Sequence, residues 1–309
     1  MLTAALQGLA VQVTPPAAAA VQLEVRGSDR TEDLSRLWQP ASPDDDVLTI
    51  FVEVGKTGST TVHETFTDAV ASSGTSYCVI DVVKPDTRPC FGNAIVFGAG
   101  FGSCSTLAPG SRCQYLTTLR EPGDRTVSEY NYFCRGCEEG GKLCNAATGC
   151  PKISFMQWAK DHAEQFTQHF SPPLWPPTVQ WVQTDGEEQD RRSFYYYQYA
   201  HGFPARPKVN DMDFERALGM LSGHGSTPML TIKLEQLEVD GWERIEEFIG
   251  APALGLRSHE KIALHGRPKK DDYEPTEEEM EEVRGVIDAY DRRLYQAVPS
   301  HERVPGPAL

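Results

Sequence analysis

Two places in this chain carry residue types suited to holding phosphate. The first follows the apolar run VLTIFV and reads Gly55-Lys56-Thr57-Gly58-Ser59-Thr60-Thr61. If a helix begins just after Gly58, its first unpaired N–H groups and the loop amides converge on one spot. The helix dipole makes that spot favourable for an anion. Gly58 lets the backbone approach without a Cβ in the way, and the hydroxyls of Ser59, Thr60 and Thr61 add donors. Lys56 supplies a point charge that can follow a leaving oxygen as charge develops on it. The second place follows the run YLTTL and carries Arg120, Pro122, Arg125 and Ser128. A strand ending at Leu119 delivers Arg120 at its carboxyl end, where open α/β sheets bind ligands. Pro122 suits a first helical turn, Arg120 can fork onto a phosphate, and Ser128 lies far enough along that helix to face the same anion. Arg125 has two readings, a phosphate ligand or an ion-pair partner that holds the loop. Two such sites imply a ligand with two separate phosphate groups.

The nearest rival for the first loop is the nucleotide-binding pattern G-x-x-x-x-G-K-[ST]. Gly55-Lys56-Thr57 supplies its end, but Ile50 stands where its first glycine belongs. A P-loop kinase therefore stays an alternative rather than the leading reading. A plain polar turn between strand and helix is the structural alternative.

The elements that must position these residues alternate. Short apolar runs predict strands over 49–54, 77–83, 94–97, 114–119 and 229–234. Helical spacing and caps predict helices over 59–72, 122–133, 155–169, 192–200, 213–222, 241–249 and 275–297. The order gives an α/β three-layer sandwich around a central parallel sheet. The strands are short and apolar throughout, as expected when both faces are covered.

This combination resembles the PAPS-dependent sulfotransferases, and more narrowly the Golgi carbohydrate branch that includes the heparan sulfate 2-O- and 6-O-sulfotransferases. Lys56-Thr57-Gly58-Ser59-Thr60-Thr61 is similar to the family loop that holds the 5′-phosphosulfate. Arg120-Glu121-Pro122-Gly123-Asp124-Arg125-Thr126-Val127-Ser128 is similar to the Arg-x-Pro-x-x-Arg-x-x-Ser segment that holds the 3′-phosphate. The resemblance covers about residues 45–298 and implies a P-loop-like sulfotransferase fold. It also implies sulfuryl transfer from PAPS, leaving adenosine 3′,5′-bisphosphate, to a hydroxyl of a carbohydrate or other hydroxylated acceptor. It implies a basic cofactor-covering loop at 259–273 and no metal; the cations of 257–270 suit that cover, with a solvated basic loop beside an acidic helix as the alternative.

One departure matters. The carbohydrate members carry a catalytic histidine a little upstream of the second phosphate strand, whereas residues 64–160 here contain none. The base must come from elsewhere, or the chain is a non-catalytic glycan-binding relative. His63 and Glu64, one to two turns into the helix after the first loop, are candidate bases. So is His201, at the end of an aromatic segment on the acceptor side. An imidazole near neutral pKa suits removal of a sugar hydroxyl proton.

The chain of 309 residues has 44 acidic against 29 basic residues, for a net charge of −15. That balance argues against a broad face for long polyanions, hence against nucleic acid as a partner. A neutral or lightly charged glycan or a small hydroxylated metabolite fits that balance at least as well as a heavily sulfated acceptor. Eight cysteines fall between Cys78 and Cys150, which suits disulfides and a secretory compartment such as the Golgi lumen. Cys134, Cys137, Cys144 and Cys150 fit either disulfides or structural zinc, and the glycine-rich context favours disulfides. Residues 1–46 read as an N-terminal segment and polar linker, 47–298 as the sulfotransferase domain with a cysteine-rich loop at 134–150, and 299–309 as a tail. No membrane anchor is evident, because Pro15 and Pro16 interrupt the apolar N-terminal runs and no span of roughly 18 apolar residues remains.

Overall fold

Apolar residues alternate between two faces along each central strand, so both faces need helices. In the computed structural model, residues 38–42, 45–81, 90–98, 104, 108, 111–131, 154–171, 209–223, 227–260 and 272–298 are described. Seven strands lie among them: β1 Trp38–Gln39, β2 Val47–Val52, β3 Cys78–Asp81, β4 Cys90–Phe91, β5 Ala94–Phe97, β6 Arg112–Leu119 and β7 Met229–Lys233. Five form one wholly parallel sheet in the order β3-β5-β2-β6-β7. The short pair β1 and β4 lies apart, with Trp38 opposite Cys90.

The helices are α1 Ser59–Ser73, α2 Pro122–Tyr130, α3 Phe155–Asp161, α4 Gln165–Phe170, α5 Asp211–Leu221, α6 Trp242–Phe248, α7 Glu277–Glu282 and α8 Ala289–Ala297. Leu48, Ile50 and Val52 of β2 face a cluster with Phe166 and Phe170 of α4, Phe214 and Leu221 of α5, and Leu294 of α8. Phe51, between them in sequence, faces the opposite cluster with Val62 and Phe66 of α1 and Trp242 and Ile245 of α6. The molecule is thus a three-layer α/β sandwich, as its sequence predicts.

Several differences from the sequence-based elements have clear causes. Trp38–Gln39, inside the predicted linker, is a strand whose Trp38 is buried and donates its indole N–H to the Gly92 carbonyl at 2.6 Å. The single helix expected over 155–169 breaks at Glu164, which has φ 58. The helix expected over 275–297 is interrupted by a π-helical turn, Val283–Ile287, and by non-helical Asp288.

Both breaks serve one buried arrangement. Glu164 accepts the N–H groups of Tyr290 at 2.9 Å and Asp291 at 2.7 Å, at the start of α8. Asp291 accepts those of Phe166 at 2.8 Å and Thr167 at 2.7 Å, at the start of α4. Each helix start is therefore capped by a carboxylate belonging to the other.

The described cysteines form two disulfides, Cys78–Cys90 and Cys104–Cys113. The predicted helix at 192–200, His201, Cys134, Cys137, Cys144 and Cys150, the basic stretch beyond residue 260 and the tail from 299 lie outside the described residues. No helix among the described residues is long and apolar enough to cross a membrane.

Candidate functional site

The sheet order fixes where a ligand would meet the strands. From β2 the chain moves outward to β3, returns to β5 beside β2, and only then crosses to β6 and β7 on the other side. Connections leaving β2 and β6 therefore diverge, and a crevice opens at their carboxyl ends. The loop carrying Lys56 leaves β2 there, and Arg120 follows the last residue of β6. The two sequence-predicted phosphate sites are thus neighbours in the fold.

The loop after β2 is shaped by two residues in the left-handed region, Lys56 at φ 65 and Gly58 at φ 90. For lysine that conformation costs on the order of 1 kcal/mol, and such outliers gather where function over-determines the backbone. Glycine suits position 58 twice over. Besides its φ, a Cβ there would come within 2.5 Å of Leu234 Cδ1, just beyond β7. Thr57 holds the loop from below: fully buried, it donates its hydroxyl to the Val54 carbonyl at 2.8 Å and lies 3.3 Å from the Thr118 hydroxyl of β6. That link between the two motifs has no signal in the sequence beyond the residue types themselves.

Helix α1 starts at Ser59 with Gly58 as its N-cap, no side-chain cap and no acid in its first turn. Its first N–H groups are therefore not answered by a capping side chain, and its dipole is not offset by a local carboxylate. Burial lowers the Lys56 ammonium from its ordinary 10.5 to about 8; the Arg120 guanidinium pushes the same way, and the Glu129 carboxylate opposes both. The Arg120 guanidinium is thus near enough to Lys56 to disfavour its charged form. Among the described residues Arg120 has no ion-pair partner.

Arg125 resolves to the second of its two readings. It is wholly buried, pairs with Glu129 at 3.0 Å and donates to Gln165 Oε1 at 2.9 Å. It ties α2 to the start of α4 from within the core. Ser128 is half-buried on α2. His63 is half-buried, its ring edge-on to Phe97 at 4.6 Å between centroids. Phe97 ends β5, so His63 lies over the carboxyl edge of the sheet. Glu64 falls instead on the exposed stripe of α1, with Thr60 and Thr67. Arg257, expected in the cofactor cover, donates to Glu243 Oε1 at 2.6 Å and to the carbonyls of Glu238 and Val239. Those carbonyls lie in the π-helical turn Leu237–Gly241, which runs directly into α6.

No protein-family profile matches the chain, and no curated protein matches it in sequence. Among solved structures, the crystal structure of mouse sulfotransferase SULT7A1 complexed with PAP aligns with a TM-score of 0.39 and 11% identity, over 87% of this chain and 85% of that one. A likeness of that size leaves the reading of the site to the chain's own geometry.

Proposed function

We propose that this chain is a PAPS-dependent O-sulfotransferase acting on a hydroxyl of a carbohydrate or another small hydroxylated acceptor. The observation that carries this reading is the meeting of Lys56 and Arg120, from two separate motifs, at the switch point of the sheet beside a helix start without a side-chain cap. The donor set fits a ligand with two phosphate groups: a lysine, a glycine-shaped loop and hydroxyls for one, a guanidinium and a serine for the other.

PAPS, when bound, supplies an activated sulfuryl group: a bond forms between acceptor oxygen and sulfur while the bond from sulfur to the 5′-phosphate oxygen breaks. Gly55, Lys56, Thr57, Gly58, Ser59, Thr60 and Thr61 hold the 5′-phosphosulfate through amides and hydroxyls. The Lys56 ammonium stabilises negative charge on the phosphate oxygen that receives the electron pair. Arg120 and Ser128 hold the 3′-phosphate and so select PAPS over ATP. His63, better placed than exposed Glu64, takes the acceptor's hydroxyl proton on an imidazole nitrogen. Disulfides persist in oxidising compartments, so the pairs Cys78–Cys90 and Cys104–Cys113 support a secretory, Golgi-lumenal placement.

Calorimetric titration with adenosine 3′,5′-bisphosphate, ADP and ATP tests the reading on wild type and Arg120→Ala. Preference for the bisphosphate, lost in the variant, is expected. Preference for ATP with magnesium would overturn it in favour of a P-loop nucleotide enzyme.

A further inference from the structure

The residue next to Arg120 is an acid, and so is the one three further on. Glu121 is the N-cap of α2, and its carboxylate accepts the Asp124 N–H at 2.9 Å. Asp124 itself lies in the first helical turn. Two carboxylates beside a guanidinium ordinarily pair with it, and an Arg120 so paired is withdrawn from a phosphate. Both acids face another partner instead. Arg284, in the π-helical turn between α7 and α8, places Nε 3.3 Å from Glu121 Oε1 and Nη2 3.2 Å from Asp124 Oδ1. Its alkyl stem lies over Gly123, where a Cβ would come within 3.1 Å of Arg284 Cγ and 2.9 Å of Met280 Cε. The bare glycine is what lets Arg284 lie flat across the first turn of α2 and reach both acids at once.

Resting on the sulfotransferase reading, we propose that Arg284 is a positioning residue for the 3′-phosphate. It engages Glu121 and Asp124, keeps them off Arg120, and lowers the negative potential that a phosphate would meet at the start of α2. It touches no reacting atom. Its effect is electrostatic and acts through the two acids, so neutralising them replaces it. The three side chains are partly exposed, Arg284 at 38%, Glu121 at 25% and Asp124 at 49%, so the effect is moderate and screened by salt.

The test compares the affinities of adenosine 3′,5′-bisphosphate and adenosine 5′-phosphate, whose ratio isolates the 3′-phosphate. In Arg284→Gln that ratio is expected to fall about fivefold at low ionic strength and less at high salt. The 5′-phosphate affinity should stay unchanged, and Arg284→Lys should retain most of the ratio. Adding Glu121→Gln and Asp124→Asn to Arg284→Gln should restore it, which a merely structural role would not do. Thermal unfolding of each variant checks that the fold persists, and the charge-retaining lysine variant reports even where the glutamine variant is unstable. An unchanged ratio in Arg284→Gln, or a loss that persists in the triple variant, overturns the inference alone. A wild type indifferent to the 3′-phosphate overturns the sulfotransferase reading and this inference with it.

Discussion

Two helices start side by side at the carboxyl edge of the sheet, and they treat their first turns in opposite ways. Helix α1 begins with a glycine N-cap, no side-chain cap and no first-turn acid. Helix α2 begins with a glutamate that caps it, an aspartate in its first turn and an arginine bridging the two. The first start leaves backbone donors for an outside anion. The second satisfies its own dipole, and under the proposed function recognition there falls to side chains, Arg120 just ahead of it and Ser128 along its length. An open start suits a group whose charge changes during reaction, because amides and an ammonium surround it. A closed start suits a group that is only recognised.

The largest test of that division removes the cation at the open start. Lys56→Ala is expected to lower turnover by roughly a hundredfold to a thousandfold, with much less change in affinity for adenosine 3′,5′-bisphosphate. Normal turnover would remove Lys56 from the chemistry. At the closed start, Arg120→Ala should weaken the bisphosphate roughly tenfold to a hundredfold while sparing adenosine 5′-phosphate. Equal losses for both ligands would erase the distinction between the two starts.

The pH dependence sharpens it further. Lys56 titrates at about 8 in the free protein, so it is charged below that pH and neutral above it. A bound phosphate favours the charged form and draws its pKa up. Affinity should therefore fall modestly as pH rises through 8, by no more than the loss seen in Lys56→Ala, with proton uptake on binding measurable in buffers of different ionisation enthalpy. In Lys56→Ala that uptake should vanish. The smallest effect belongs to the backbone: Gly58→Ala should cost about 1–2 kcal/mol of stability in urea unfolding, since φ is 90 there. A stability equal to wild type would mean that the loop relaxes at no cost.

The sequence exposes these features unevenly. Strand β5 and the starts of α1 and α2 fall where hydrophobic runs, glycine and Pro122 place them, because those signals are local. The pairing of Lys56 with Arg120 is legible only through topology: two strand ends become neighbours once the sheet order is known. The break at Glu164 is not legible, since a non-glycine left-handed residue inside a helical pattern is stabilised by partners near position 290, far along the chain. Asp288 and Asp291 read as ordinary residues of a closing helix, yet both are buried, and Asp288 accepts the Glu164 N–H at 3.0 Å and the Thr126 hydroxyl at 3.1 Å. Arg257 is legible as a cation but not in its allegiance, because two of its acceptors are carbonyls with no sequence signature and the third, Glu243, lies 14 residues away. Strand β1 has only two residues, too short for any periodicity to show.

The exchange of caps between α4 and α8 also bears on how the molecule comes apart. Each helix is short, and short isolated helices are marginal in water. Neither start is satisfied until the other helix is docked, so the two should lose amide protection together, as a single cooperative unit in hydrogen exchange. Cutting the chain ahead of residue 288 would take more than the last helix. It would expose the first amides of α4 and take away Asp288 and Asp291, two of the acids that surround buried Arg125. Trimming that reaches α8 should therefore act as an unfolding step rather than as the removal of an appendage.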